Sequence, residues 1–141
     1  MTKRKISEET YLLLTAMVEL AKKRNPVQGK FKFESFNDSG WGFSSKQGVL
    51  YCGSVGGLAA GYLPLLDKRF YFTDTGQFCD GGMDFSDGNL SDELGDDIFN
   101  ALFYPICQQT LNKQLPTLYP GATKDEVIAN AEYILANHLY C

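Results

Sequence analysis

The segment RFYFTDTGQFCDGGMDFSDGNLSDELGDDIFNALF, residues 69–103, decides the predicted fold because the chain passes from strands to helices within it. Phe70-Tyr71-Phe72 is typical of a short strand, and Asp74-Thr75-Gly76 has the composition of a hairpin tip. Gln77-Phe78-Cys79 can then pair back. From Ser91 onwards apolar residues recur at helical spacing, and Ser91 is a suitable N-cap. Strands followed by helices indicate an α+β domain and not a doubly wound one.

More strands are predicted upstream of this segment. Residues 30–35 alternate between charged and mostly apolar side chains, which is the pattern of a half-buried strand. Trp41-Gly42-Phe43 begins another candidate strand. Residues 49–55 and 58–65 are predicted to be two strands joined by a hairpin turn at Gly56-Gly57. The sequence therefore predicts an antiparallel, twisted β-meander of about four to six strands.

Helices are predicted at both ends of the chain. Ser7 is a good N-cap for a first helix with a broad apolar stripe, which Asn25-Pro26 ends. Residues 123–126 have the composition of a capping box, from which a last helix runs towards His138. Pro105 should interrupt the helix that follows Ser91. We therefore expect one globular α+β domain over residues 1–141, with an N-terminal helix and two to three C-terminal helices packed on the sheet.

The bulk composition supports a folded core and a particular distribution of charge. Hydrophobic residues make up 44% of the chain and aromatic residues 13%, which is enough for a core in 141 residues. Residues 1–32 carry eight basic and three acidic side chains, whereas the remainder carries five basic and fourteen acidic ones. A nucleic-acid-binding protein needs a dominant positive face, so no nucleic-acid partner is expected.

The four cysteines and the single histidine do not form a familiar ligand set, so no metal and no cofactor is expected. No apolar signal region follows the charged start of the chain, which favours a cytoplasmic location. Residues 48–66 have no charge over nearly the length of a membrane span. Their glycines, proline and tyrosines favour buried sheet, and no membrane span is expected.

An acidic, glycine-rich loop is the most unusual feature of the sequence. No basic residue occurs between Arg69 and Lys113, and eight acids lie in the first part of that gap. Four of them, at positions 92, 93, 96 and 97, fall in the first turns of the helix after Ser91, where the helix dipole favours acids. The rest have three interpretations, which are a solvated loop, a surface for a basic partner, and a calcium site. The spacing does not match an EF-hand.

Two other groups of residues have a weaker claim to a function. The glycine run at residues 53–61 matches no nucleotide-binding motif, although glycine-lined strands could hold a small ligand. His138 lies one helical turn from Cys141, but no third group orients such a pair in the sequence. His138 also shares a stripe with apolar residues, which is typical of the edge of a core.

The sequence contains no catalytic signature, and we expect a binding protein and not an enzyme. The favoured hypothesis is a small soluble acidic inhibitor, of the immunity or anti-defence type, whose acidic loop neutralises a basic site on a protein partner. The residues assigned to that contact are Phe78, Asp80, Met83, Asp84, Phe85 and Asp87. A domain that binds a nucleotide-like or lipid-like small molecule is an alternative, and an enzyme of unfamiliar type is another. The small-molecule site would use Trp41, Tyr51, Gly56, Gly57 and Tyr62.

Overall fold

Five helices and two small sheets make up the part of the chain that the structure, a computed structural model, describes. That part comprises residues 3–24, 57–75, 77–104 and 124–141. The elements in chain order are β1 (Arg4–Lys5), α1 (Glu8–Lys23), α2 (Gly57–Leu66), β2 (Phe70–Phe72), β3 (Phe78–Asp80), β4 (Met83–Asp84), a 3-10 turn (Phe85–Asp87), α3 (Asn89–Leu94), α4 (Asp96–Phe103), α5 (Lys124–Asn137) and β5 (Leu139–Tyr140).

The two helices that were predicted from their caps are confirmed. The Ser7 hydroxyl accepts a hydrogen bond from the Thr10 backbone N–H at 3.1 Å and so caps α1. Acids occupy the first turn of α1 and lysines its last turn, as the helix dipole favours. Helix α5 begins at Lys124, directly after the predicted cap at residue 123. The expected stop at Asn25-Pro26 lies outside the described residues.

Helix α2 replaces a predicted strand, so the prediction for residues 58–65 is wrong. Its residues from Gly57 to Leu63 are all buried, and α2 packs against α1, α4 and β2. A helix that is buried on every side has no polar face, and its periodicity cannot be distinguished from that of a buried strand. Within the described residues, no helix has both the length and the apolarity to cross a bilayer.

The main sheet is smaller than the predicted meander of about four to six strands, and this prediction is also wrong. In the described part of the chain it has three antiparallel strands in the order β2-β3-β4. The β2–β3 hairpin is confirmed, with Phe70 opposite Asp80 and Phe72 opposite Phe78. The candidate strands at residues 30–35, 41–43 and 49–55 lie outside the described residues. The fold is mixed α and β, with helices predominating.

The helix predicted to start at Ser91 is instead two helices. Helix α3 begins at Asn89, so Ser91 lies within it and is not its cap. Gly95 separates α3 from α4 and has a φ of 80°, a conformation that glycine adopts without strain. The apolar residues at positions 94–103 keep helical spacing across this break. That spacing shows which side chains face the core and does not show whether the helix is continuous.

An aromatic cluster joins the sheet to α4 and forms the centre of the core. The Phe85 ring lies 4.8 Å from that of Phe78 and 4.9 Å from that of Phe99, between ring centroids. Phe70 and Phe103 complete its surroundings at 6.4 and 5.3 Å. Aromatic pairs in this range attract one another beyond the area that they bury. The 3-10 turn that carries Phe85 is therefore fixed against both the sheet and α4.

A single carboxylate joins α3 to the start of α1. Glu93 accepts hydrogen bonds from the Ser7 backbone N–H at 2.7 Å and from the Thr10 hydroxyl at 2.6 Å. Burial acts to raise the pKa of Glu93, but the hydrogen bonds from Thr10 and Ser7 outweigh it and leave the pKa below its ordinary value of 4.5. The ionised form is therefore the one that the fold stabilises.

Replacing Glu93 with glutamine is expected to lower the free energy of unfolding by about 1 kcal/mol at neutral pH. Because the folded protein lowers the pKa of Glu93, its contribution is complete above 4.5 and is lost as the pH falls through the folded value. Urea titrations of the wild type and Glu93→Gln between neutral pH and about pH 3 measure this. A difference that stays constant over that range would contradict the assignment.

Candidate interaction surface at the acidic turn

The acidic loop of the sequence contains a tight hairpin and a 3-10 turn, and we call residues 80–87 the acidic turn. Asp80 pairs with Met83 across the hairpin, so Gly81 and Gly82 form a two-residue connection. Both glycines have positive φ, 63° and 94°, as such hairpin turns require. Asp84 then caps the 3-10 turn by accepting the Ser86 backbone N–H at 3.0 Å. The segment that was predicted to be a loop is thus regular from end to end.

Asp80 points into the protein and stabilises the start of α3. It is 1% exposed, and its Oδ2 accepts the Leu90 backbone N–H at 2.9 Å. Gly88, the N-cap residue of α3, has no side chain to do this. A β-carbon at Gly88 would lie 2.7 Å from that of Asp80, so only glycine leaves room for the carboxylate. Asp80 therefore acts as a capping side chain supplied by a strand.

Arg69 supplies the charge opposite Asp80. Its Nε lies 2.9 Å from Asp80 Oδ1, and its guanidinium carbon is 4.6 Å from the centroid of the Phe70 ring. The Nε–H is not directed at the carboxylate oxygen, and buried Nη2 has no hydrogen-bond partner among the described residues. The contact is thus an ion pair between a partly exposed guanidinium and a fully buried carboxylate. Its role is structural, because both groups are already engaged with each other.

Phe78 and Phe85, predicted to be anchors for a partner, lie in the core instead. Phe78 is 2% exposed and Phe85 1%. A partner could reach them only if the aromatic cluster opened, so they and Asp80 are removed from the set of side chains available to a partner. The reason is the two-residue period of β3, which sends Phe78 and Asp80 to the inner face of the sheet.

Three of the six predicted contact residues remain on the surface. Met83 is 51% exposed, Asp84 is half-buried and Asp87 is exposed. The second oxygen of Asp84 accepts a hydrogen bond from Gln77 Nε2 at 2.7 Å, which fixes the carboxylate in place. In the described part of the chain neither Asp84 nor Asp87 is paired with a cation. An adaptable, exposed apolar side chain and two carboxylates without a cationic partner in the described chain therefore lie within the five residues 83–87.

The outer face of the sheet adds a residue that the sequence interpretation missed. Tyr71 lies opposite Cys79, which in turn lies opposite Asp84, so the three side chains share one cross-strand row. Two strand spacings place Tyr71 about 10 Å from Asp84. Tyr71 is 40% exposed. The two-residue period of a strand was the signal that could have revealed it, because Tyr71 must face away from its neighbours Phe70, which is buried, and Phe72, which is partly buried.

The phenol of Tyr104 lies close to the acidic turn and hydrogen-bonds with Ser86. Burial raises the pKa of Tyr104, beneath the turn, to about 12, although a hydrogen bond with Ser86 acts in the opposite direction. The phenol is therefore neutral at physiological pH and is not a base. The described residues contain no group of three or more acidic, histidine or cysteine side chains that could hold a metal ion.

Two of the five residues of the alternative small-molecule site lie in the described part of the chain. Gly57 and Tyr62 are buried in α2, and the Tyr62 hydroxyl donates to the Arg24 carbonyl at 2.9 Å. Burial raises the pKa of Tyr62 to about 12. Trp41, Tyr51 and Gly56 lie outside the described residues.

Comparison with known protein families, with characterised proteins and with solved structures found no match for this chain. The function is therefore argued from the geometry of the acidic turn alone.

Proposed function

We propose that this protein is a non-catalytic binding protein, an inhibitor of the immunity or anti-defence type, that occupies a basic site on another protein with its acidic turn. The observation that supports this most directly is the exposure, within residues 83–87, of Met83 together with the carboxylates of Asp84 and Asp87, which pair with no cation of the described chain. Methionine side chains adapt to irregular pockets, and flanking charges orient a partner of opposite sign.

The rigidity of the turn favours recognition by a preformed surface. Asp84 is held by both Gln77 and the Ser86 backbone N–H, and the Phe85 ring anchors the turn in the core. A surface that is ordered before association loses little conformational entropy on binding, so more of the contact energy appears as affinity. The buried phenylalanines thus contribute to binding by positioning the exposed residues.

The negative charge around the acidic turn favours a positively charged partner. Asp92 and Asp96, on the two helices that follow, are also exposed. The nearest basic residue in the chain before the turn, Arg69, is engaged by buried Asp80. Among the described residues the surface therefore presents negative charge that no basic side chain neutralises, which should speed association with a basic protein at low salt.

The test compares two changes in the acidic turn with one control change on α1. We expect Asp87→Lys and Met83→Asp to weaken binding about tenfold or more, whereas Glu9→Lys, an equally exposed reversal on α1, leaves it within about twofold. Proteins retained by the immobilised wild type and lost by both variants would be identified, purified and titrated calorimetrically at about 0.05 and 0.5 M salt. Affinity that is indifferent to Asp87→Lys, Met83→Asp and salt would refute the proposal.

A further inference from the structure

The two ends of the described chain are joined by a small parallel sheet that we call the terminal clasp, residues 4–6 and 138–140. The Arg4 N–H donates to the His138 carbonyl at 2.9 Å, and the Ile6 N–H donates to the Tyr140 carbonyl at 2.8 Å. Only Arg4 and Lys5 on one side and Leu139 and Tyr140 on the other are in register. So short a pairing opens at a lower free energy than the core, unless its side chains hold it closed.

The side chain of His138, the first clasp residue on the C-terminal side, is buried in an environment that is unfavourable for an ionisable group. It is 7% exposed, and within the described chain neither Nδ1 nor Nε2, both buried, has a hydrogen-bond partner. A neutral imidazole already leaves one donor and one acceptor unsatisfied there, and protonation would add a second donor and a positive charge. A buried charge without a partner is strongly unfavourable, so the closed clasp tolerates only the neutral ring.

The charged and titratable groups around His138 reinforce this preference. Tyr133 of α5 lies 5.7 Å away between ring centroids, and Lys3 and Arg4 lie at the strand that pairs with its backbone. Burial lowers the pKa of His138 below its ordinary value of 6.5, and positive charge at the start of the chain, that of Lys3 included, lowers it further. Within the described chain no carboxylate acts on the imidazole to oppose this.

We propose that the terminal clasp is a pH-sensitive latch, which opens when His138 takes up a proton and releases residues 3–6 from the C-terminal strand. The closed form excludes a proton that the open form accepts, so the latch is stable above pH 6.5 and weakens as the pH falls below it. Glu93 does not titrate in this range, because its pKa lies below 4.5.

Opening of the terminal clasp would also break hydrogen bonds to α3. The Arg4 guanidinium donates to the backbone carbonyl of Glu93 at 2.6 Å and to that of Asp92 at 3.3 Å. These carbonyls belong to the last turn of α3, where a cation is favoured by the helix dipole. Release of Arg4 therefore removes two tertiary hydrogen bonds at that end of α3, next to exposed Asp92, and leaves those from Ser7 and Thr10 to the Glu93 side chain.

The test uses the full chain and the fact that it has one histidine. The single imidazole C2 proton should titrate in NMR spectra with a midpoint below 6.5. Protection of the Arg4 and Ile6 amides, corrected for the intrinsic pH dependence of exchange, should fall by up to about tenfold per pH unit below that value. The Ile134 amide, inside α5, should keep its protection and serves as the internal reference.

The matched variant is His138→Phe, which keeps a buried ring and removes the titration. Its Arg4 and Ile6 amides should keep their protection within about twofold between pH 7.5 and 5.5, a range on either side of the ordinary histidine pKa. An equal loss of protection in both proteins would overturn the proposal. So would a histidine midpoint at or above 6.5 in the wild type, a result that does not depend on the variant folding.

Discussion

Replacing Phe85 with alanine is expected to lower the free energy of unfolding by about 3–5 kcal/mol, the largest effect of any single truncation at the acidic turn. The ring is 1% exposed and contacts the rings of Phe78, Phe99 and Phe103. Its removal leaves a cavity where β3, the 3-10 turn and α4 meet, and the rigid backbone on three sides cannot collapse to fill it. Denaturant titration followed by circular dichroism measures the loss.

Met83→Ala is the matched control for Phe85→Ala. Met83 lies two residues away and is half exposed, so its truncation should change stability by no more than about 0.5 kcal/mol. The pair separates two roles within one segment, since Phe85 holds the turn in place and Met83 presents it to a partner. Equal stability of the two variants would show that Phe85 is not the anchor of the turn.

The second large effect is expected at the buried ion pair. Replacing Asp80 with asparagine should lower the free energy of unfolding by about 3 kcal/mol, because it removes the charge that neutralises Arg69 but keeps the shape. Asparagine can still accept the Leu90 N–H, so the loss reports mainly on the guanidinium left without its counter-charge. The side chain of Arg69 is 33% exposed, and water therefore limits the cost to the lower end of the range for such pairs.

Thermal and urea denaturation of Asp80→Asn, Arg69→Met and the double variant complete a cycle that isolates the pair. The exposed Asp87→Asn change serves as the control and should be within about 0.5 kcal/mol of the wild type. If the losses in Asp80→Asn and Arg69→Met simply add, the two side chains are not coupled and Asp80 acts only as a cap for α3.

Local signals in the sequence were sufficient where a helix or hairpin is fixed by its own residues. The Ser7 cap, the cap at residue 123 and the aromatic run at residues 70–72 each report on neighbours within a few positions, and the corresponding elements formed. The acidic charge and the turn glycines of residues 80–87 belong to the same class, because both are properties of the residues themselves.

The sequence interpretation failed for two reasons. In one case the segment is buried among apolar residues on every side, and in the other its partners lie elsewhere in the chain. Helix α2 carries no polar face to give it a period, so packing against α1, α4 and β2 decided between helix and strand. Asp80 looks like any other acid of the loop, yet Arg69 and the Leu90 N–H bring it inside. Neither partner can be inferred from composition.

The acidic segment shows this division within eight residues. The sequence by itself determined that residues 80–87 are acidic and contain turn glycines at the passage from strands to helices, because charge and backbone preference are local properties. Only the tertiary structure decided which side chains remain for a partner. It buried Phe78, Asp80 and Phe85 and left Met83, Asp84 and Asp87 at the surface, since burial depends on what packs against each side of the segment.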